Sequence, residues 1–181
     1  MNIKEAIKIL SAGSDLTASQ MEAVMEEIMT GKITETSLIV SFLTALNKQG
    51  IVSEELVGAA RVMRKRMIKI CSKHKVILDT CGTGGDRKHT FNISTAAALV
   101  AAGSGIAVAK HGNRSVTSKC GSADLLEALN VNIEMEPEAA QRCLDEIDIT
   151  FLFAPIYHPA MKFAMQARRQ IAEKKKEKTS P

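Results

Sequence analysis

The sequence predicts an α/β protein in which a helical domain precedes a domain built on a parallel sheet. Three observations predict it. The first 75 residues contain no proline and repeat apolar side chains at helical spacing. Beyond Lys75, short apolar runs alternate with helical segments, the pattern of strands joined by crossover helices. Polar segments follow three of those runs, where an open parallel sheet presents the carboxyl ends of its strands.

The helices come first. Ile3, Ala6, Ile7 and Leu10 keep i, i+3, i+4, i+7 spacing, and Gly13-Ser14-Asp15 ends that segment. Thr17 with Gln20 forms a capping box for a second helix with the stripe Met21, Val24, Met25, Ile28, and Gly31 suits its left-handed end. Thr34 can cap a third helix that turns Ile39, Phe42, Leu43 and Leu46 inward and closes at Gly50. Ser53, followed by Glu54 and Glu55, starts a fourth, with the stripe Leu56, Val57, Ala60, Met63, Met67, Ile70. Methionine at helical spacing reads as core.

The sheet domain follows. Its expected strands are Val76-Ile77-Leu78, Ile106-Ala107-Val108-Ala109, Val131-Asn132-Ile133 and Ile149-Thr150-Phe151-Leu152-Phe153. Between them lie helices at 94–102, 122–129 and 137–147, the last with Pro137 in its first turn. A further helix spans 158–171. The domains fall at 1–72 and 73–171, with a basic tail at 172–181 whose Glu/Lys composition suits a solvated, fraying helix end.

Composition narrows the classes of function. At 181 residues and 45% hydrophobic, the chain holds one good domain or one with a small satellite, and as a whole is not disordered. The longest weakly polar stretch, 93–109, is interrupted by Ser94, Thr95, Gly103, Ser104 and Gly105 and is too short for a bilayer. Met1 to Glu5 mixes acid and base, unlike a secretory leader. A soluble, cytoplasmic protein is expected. The net charge of +4 sits in residues 168–181, while a basic run at 61–75 is offset by acidic surroundings. Global basicity therefore says little about nucleic acid. Cys71, Cys81, Cys120 and Cys143 match no zinc spacing and read as free thiols.

Three segments carry the candidate chemistry. Asp79-Thr80-Cys81-Gly82-Thr83-Gly84-Gly85-Asp86 places three glycines in four positions, so backbone N–H groups can surround an anion near the start of the helix at Asn92. It lacks the Lys-Ser/Thr of a Walker loop, and Arg87 replaces the third glycine of a dinucleotide fingerprint. A tight turn packing helix on strand has the same pattern. Asp86 and Asn92-Ile93-Ser94-Thr95 add hard oxygen ligands suited to magnesium. The second segment, Lys110-His111-Gly112-Asn113-Arg114-Ser115 with Val116-Thr117-Ser118, supplies two cations, an amide and hydroxyls. The third, Ala154-Pro155-Ile156-Tyr157-His158-Pro159, forms a rigid wall or merely a turn, with Arg168 two turns on. No catalytic triad or paired-carboxylate arrangement competes with them. Chemistry alone indicates a phosphorylated, acidic small molecule, magnesium and group transfer.

These motifs, with Phe-Asn-Ile-Ser-Thr at 91–95, Lys-His-Gly-Asn-Arg at 110–114, Gly-Ser-Ala-Asp-Leu-Leu-Glu-Ala-Leu at 121–129 and Phe-Ala-Pro-Ile-Tyr-His-Pro-Ala-Met-Lys at 153–162, resemble the anthranilate phosphoribosyltransferase family. The resemblance runs to about Arg169. It implies a sheet domain of the nucleoside phosphorylase/phosphoribosyltransferase type, and transfer of phosphoribose from phosphoribosyl pyrophosphate to anthranilate with Mg2+, in tryptophan biosynthesis. By position it implies that Gly82, Gly85, Asp86, Thr90, Asn92, Ile93, Ser94, Thr95, Lys110 to Ser118 and Ser122 bind phosphoribosyl pyrophosphate. Ser94 is the implied metal ligand. Gly82, Asn113 and Arg168 are the implied anthranilate contacts, and the helical domain a homodimerisation platform.

The family is nearly twice as long, and its adjacent Asp-Glu metal pair has no counterpart here. The expected sheet is therefore incomplete. A truncated enzyme, half of a split enzyme and a non-catalytic relative binding nucleic acid through 61–75 and the tail remain as readings. Few aromatic residues accompany those basic clusters, so nucleic acid is the less favoured partner.

Overall fold

The computed structural model describes residues 1–82, 91–115 and 120–177, with side chains as far as Lys174 in the final helix. The chain divides into two compact units, Met1–Met67 with His158–Pro181, and Ile68–Tyr157.

In the helical unit, α1 (Ile3–Ser11), α2 (Ala18–Met29), α3 (Thr36–Gln49) and α4 (Ser53–Arg66) follow the expected order. Capping boxes at Asn2/Glu5 and Thr17/Gln20 satisfy orphan N–H groups at the first two helix starts. Gly31 (φ 71°) and Gly50 (φ 93°) adopt the left-handed region after α2 and α3. Thr34 does not cap α3, because Glu35 precedes it directly and makes no side-chain cap bond. The core gathers Ile3, Ala6, Leu10, Met21, Val24, Ile28, Ile39, Phe42 and Leu46.

The buried face of α4 differs from the expected stripe. Glu55, Gly58 and Val62 are buried, while Leu56, Val57 and Ala60 are exposed. Two contacts set this rotation. The Glu55 carboxylate accepts the Leu16 and Val52 N–H groups, each at 3.1 Å. Gly58 lets α4 come down on α2, where a β-carbon would stand 2.9 Å from that of Met21.

Strands β1 (Val108–Gly112) and β2 (Ile149–Phe153) pair in parallel, Val108 opposite Ile149 and Gly112 opposite Phe153. Val76 to Leu78 contributes an isolated bridge between Leu78 and Val108, and β1 starts two residues later than expected. No strand forms at 131–133; Ile133 is buried instead with Ala123, Leu126, Phe151 and Phe153. α5 (Ile93–Gly103), α6 (Ser122–Ala128) and α7 (Pro137–Ile147) match the sequence reading closely. α8 (Ala154–Tyr157) ends this unit. A 3-10 turn (Pro159–Met161) leads to α9 (Lys162–Glu177). Read from the sequence as the last helix of the sheet domain, α9 buries Ala164 and Ala167 in the helical core, because its small residues fit against it.

Candidate functional site

The site forms beyond the carboxyl end of β1, in the sheet unit. Asn92 caps α5: its Oδ1 accepts from Thr95 N–H at 3.1 Å, Thr95 Oγ1 at 2.9 Å and Ser94 Oγ at 3.2 Å. Thr80 Oγ1 donates to the Ser94 carbonyl at 2.7 Å and ties the first strand segment to this helix start. Lys110 is 3% exposed, yet its Nζ stands 3.4 Å from both Thr80 Oγ1 and Ser94 Oγ. Burial pushes the ammonium below the ordinary lysine range, opposed by the Asp79 charge and then by Cys81. A buried ammonium with three donors beside two hydroxyls is suited to an anion.

Asp79 shapes the neighbouring backbone. Its Oδ1 accepts from Cys81 N–H at 3.0 Å and from His111 N–H at 3.3 Å. Burial holds the His111 imidazole below its usual value, against Asp79 and helped by Lys110. Gly112 is buried against Ser122 and the Phe151 ring, with no room for a β-carbon.

After β1 the segment turns on itself. The Asn113 carbonyl accepts from Ala123 N–H at 3.2 Å and Ser122 Oγ at 3.4 Å. Asp124 Oδ2 accepts from Ser115 N–H at 2.9 Å and Gly121 N–H at 2.7 Å, which hold its carboxyl below the ordinary range. Arg114 is engaged by both Glu127 oxygens and lies 5.6 Å from the Phe153 ring centre. The Glu127 hydrogen bonds chiefly raise the pKa of the guanidinium, and that pairing keeps Glu127 low.

The structure thus brings together Asn92, Ser94, Thr95 and Lys110, with His111, Gly112, Asn113, Arg114, Ser115 and Ser122 on the adjoining segment. Gly82 and Ile93 are exposed. Gly85, Asp86, Thr90, Val116, Thr117 and Ser118 lie outside the described residues. Arg168 is exposed on α9, in the helical unit. Asp79 and Thr80 stand in the first candidate segment and Asp124 in the 121–129 motif, but the sequence assigned none of them a binding role. Their position beside glycine turns was the available signal, but their hydrogen-bond partners lie up to 32 residues away.

A helical bundle followed by a parallel α/β unit is the two-part architecture that the matching family models describe. The glycosyl transferase family's a/b domain model matches residues 74–175, and its helical bundle domain model matches 4–67; the chain belongs to this family. It is similar to anthranilate phosphoribosyltransferase of Moorella thermoacetica, 52% identical over 93% of this chain and 50% of that protein. The same enzyme of Chloroflexus aurantiacus is 54% identical over 94% of this chain and 50% of its own length. Among solved structures, anthranilate phosphoribosyltransferase from Thermus thermophilus matches with TM-score 0.82 and 40% identity, covering 91% of this chain and 50% of that one. The Saccharomyces cerevisiae enzyme in complex with PRPP and Mg matches with TM-score 0.85 and 26% identity, covering 94% and 51%. The chain spans about half the length of the curated relatives it matches.

Proposed function

We propose that this chain supplies the helical bundle and the phosphoribosyl pyrophosphate cradle of an anthranilate phosphoribosyltransferase. The reaction moves phosphoribose from phosphoribosyl pyrophosphate to the amine of anthranilate and releases pyrophosphate, a step of tryptophan biosynthesis. One observation carries the reading: the buried Lys110 ammonium, on β1, meets the Thr80 and Ser94 hydroxyls. The segment 113–115 that continues β1 leads to the carboxyl side of the strand, where ligands of an open parallel sheet sit.

In this reading the segments 82–95 and 110–118, with Ser122, cradle the phosphates. Lys110 supplies charge, and the hydroxyls and backbone N–H groups supply direction. Within the sheet unit, Asn113 and Gly82 receive anthranilate. The aniline nitrogen attacks without prior deprotonation, so alignment replaces a strong base. Among the described residues no three of His, Cys, Asp and Glu cluster as metal ligands. The hard oxygen of Ser94 fits a magnesium ion carried mainly by phosphates and water, whereas Asn92 Oδ1 is occupied by its three capping hydrogen bonds. Such an ion supplies charge neutralisation for the departing pyrophosphate. Homodimerisation through the helical unit accords with its exposed Ile51, Leu56 and Val57. A cytoplasmic location accords with the free thiols. Among the described residues no helix is long and apolar enough to cross a membrane.

The basic run lends the nucleic-acid reading little support. Arg61 pairs with Glu22 at 2.9 Å, and Lys65 and Arg66 both pair with Glu26 at 2.6 Å.

Calorimetric titration of the chain with phosphoribosyl pyrophosphate and Mg2+ tests the proposal. Binding is expected, with slow turnover of anthranilate by the chain alone. Turnover should rise when the remaining half of a relative, such as the Moorella enzyme, is added. A folded chain that does not bind phosphoribosyl pyrophosphate sinks the reading, and full turnover by the chain alone removes the need for a second half. Light scattering on the eluting species checks the dimer.

A further inference from the structure

Asp124 occupies the first turn of α6 and makes more bonds than that helix start requires. A carboxylate at the third helical position commonly accepts the N–H of the residue before the helix, here Gly121 at 2.7 Å. That habit does not account for the second bond from the same oxygen, to Ser115 N–H at 2.9 Å, nine residues back in the sequence. Gly121 makes the approach possible. A β-carbon there would overlap the backbone of Asn113, Arg114 and Ser115, so the two ends of the segment lie backbone against backbone. The Asn113 carbonyl, bound by Ala123 N–H and Ser122 Oγ, closes the same base from the other side.

Charge alone would make a carboxylate an unfavourable neighbour for a pyrophosphate. Asp124 is tolerable there because Oδ2 serves two N–H groups and Oδ1 lies 3.7 Å from Arg114. Arg114 is in turn gripped by Glu127. Its charge is therefore directed to carboxylates rather than to an incoming phosphate.

We propose that Asp124 is a positioning residue for the anion site: by joining the Ser115 and Gly121 N–H groups through one oxygen, it fixes the spacing of Asn113, Ser115 and Ser122. The inference rests on the phosphoribosyl pyrophosphate reading and assigns the bridge, rather than the charge, as the working feature. An asparagine carbonyl can make the same bridge, whereas alanine cannot.

The test compares wild type, Asp124→Asn and Asp124→Ala by titration with phosphoribosyl pyrophosphate and Mg2+, by thermal unfolding and by amide exchange at Ser115 and Gly121. Asp124→Ala should weaken binding by about tenfold or more, the size expected when hydrogen-bonded groups lose their acceptor. Its two amides should exchange faster. Asp124→Asn should restore affinity to within about threefold of wild type and keep both amides protected. Wild-type affinity in Asp124→Ala overturns the proposal, and so does an Asp124→Asn variant as weak as the alanine. Should Asp124→Ala not fold, Gly121→Ala, which parts the same backbones and leaves Asp124 in place, is expected to weaken binding as much; undiminished binding overturns the proposal. A wild-type chain that binds no phosphoribosyl pyrophosphate overturns the functional reading by itself. The two amides then decide the bridge separately, and equal exchange in wild type and Asp124→Ala overturns it.

Discussion

The Lys110 ammonium faces the Thr80 and Ser94 hydroxyls from a buried position, and desolvation is the largest influence on its proton. A cation with a lowered pKa loses its charge earlier as pH rises. Pyrophosphate affinity should therefore decline on alkalinisation before an ordinary lysine would titrate. Lys110→Arg, whose guanidinium stays charged, should remove that decline, and Lys110→Met should cost about tenfold or more in affinity at neutral pH. Titration across pH decides it; a wild-type profile that is flat into the lysine range contradicts the assignment. Lys110 was a candidate in the sequence because a basic residue in a glycine- and hydroxyl-rich segment suits an anion; the structure buries it within β1 rather than after it. Thr80 and Asp124 were less legible. Each acts through a bond to a residue distant in sequence, and spacing arguments carry no such information.

Helix positions followed from periodicity and caps, but the rotation of α4 did not. A stripe of Leu56, Val57 and Ala60 satisfies hydrophobic spacing, yet the helix turns Glu55, Gly58 and Val62 inward. The decisive contacts are polar and steric: Glu55 satisfies the buried Leu16 N–H, and Gly58 meets the Ala18 carbonyl. The strand at 131–133 was misread for a related reason, since an apolar residue such as Ile133 can be buried by a loop as well as by a sheet. Gly58→Ala separates the competing effects on α4. Alanine gains roughly 1 kcal/mol of helix propensity over glycine in a helix interior. Here its methyl would press on a backbone carbonyl that cannot swing aside, and overpacking costs about 1–3 kcal/mol. The rigid neighbour makes the steric cost prevail. Chemical denaturation should show net loss of stability with an unchanged helical spectrum; a Gly58→Ala variant more stable than wild type would mean that α2 and α4 can part freely.

At the scale of the whole molecule, the sheet unit has more apolar surface than its described elements cover. α5 carries no charged side chain from Ile93 to Gly103, and Val100 on it is 70% exposed. Ile93 and Leu99 on the same helix are exposed, as are Val76, Ile77 and Ile106. A helix apolar on every side ordinarily lies within a core, and parallel sheets ordinarily have both faces covered. Among the described residues, two paired strands and one bridge are also few for a sheet of this kind. The expected helix at 94–102 was readable from its small and apolar residues, but the same composition could not say how many of its sides are covered. The relatives are about twice this length, so their a/b domains have further chain with which to bury such a face. For the present chain studied alone, the prediction is concrete. It should bind a hydrophobic fluorescent dye in its folded state and self-associate as concentration rises, because apolar patches of this kind drive both. The double substitution Leu99→Glu and Val100→Glu should lower dye binding and association while leaving the helical spectrum and pyrophosphate titration in place. Phosphoribosyl pyrophosphate should not suppress the dye signal, since the buried ammonium and hydroxyls that would hold it are distinct from the exposed Leu99 and Val100 side chains. Dye binding that persists in the double variant would locate the exposed surface elsewhere, with Val76 and Ile77 the next residues to substitute.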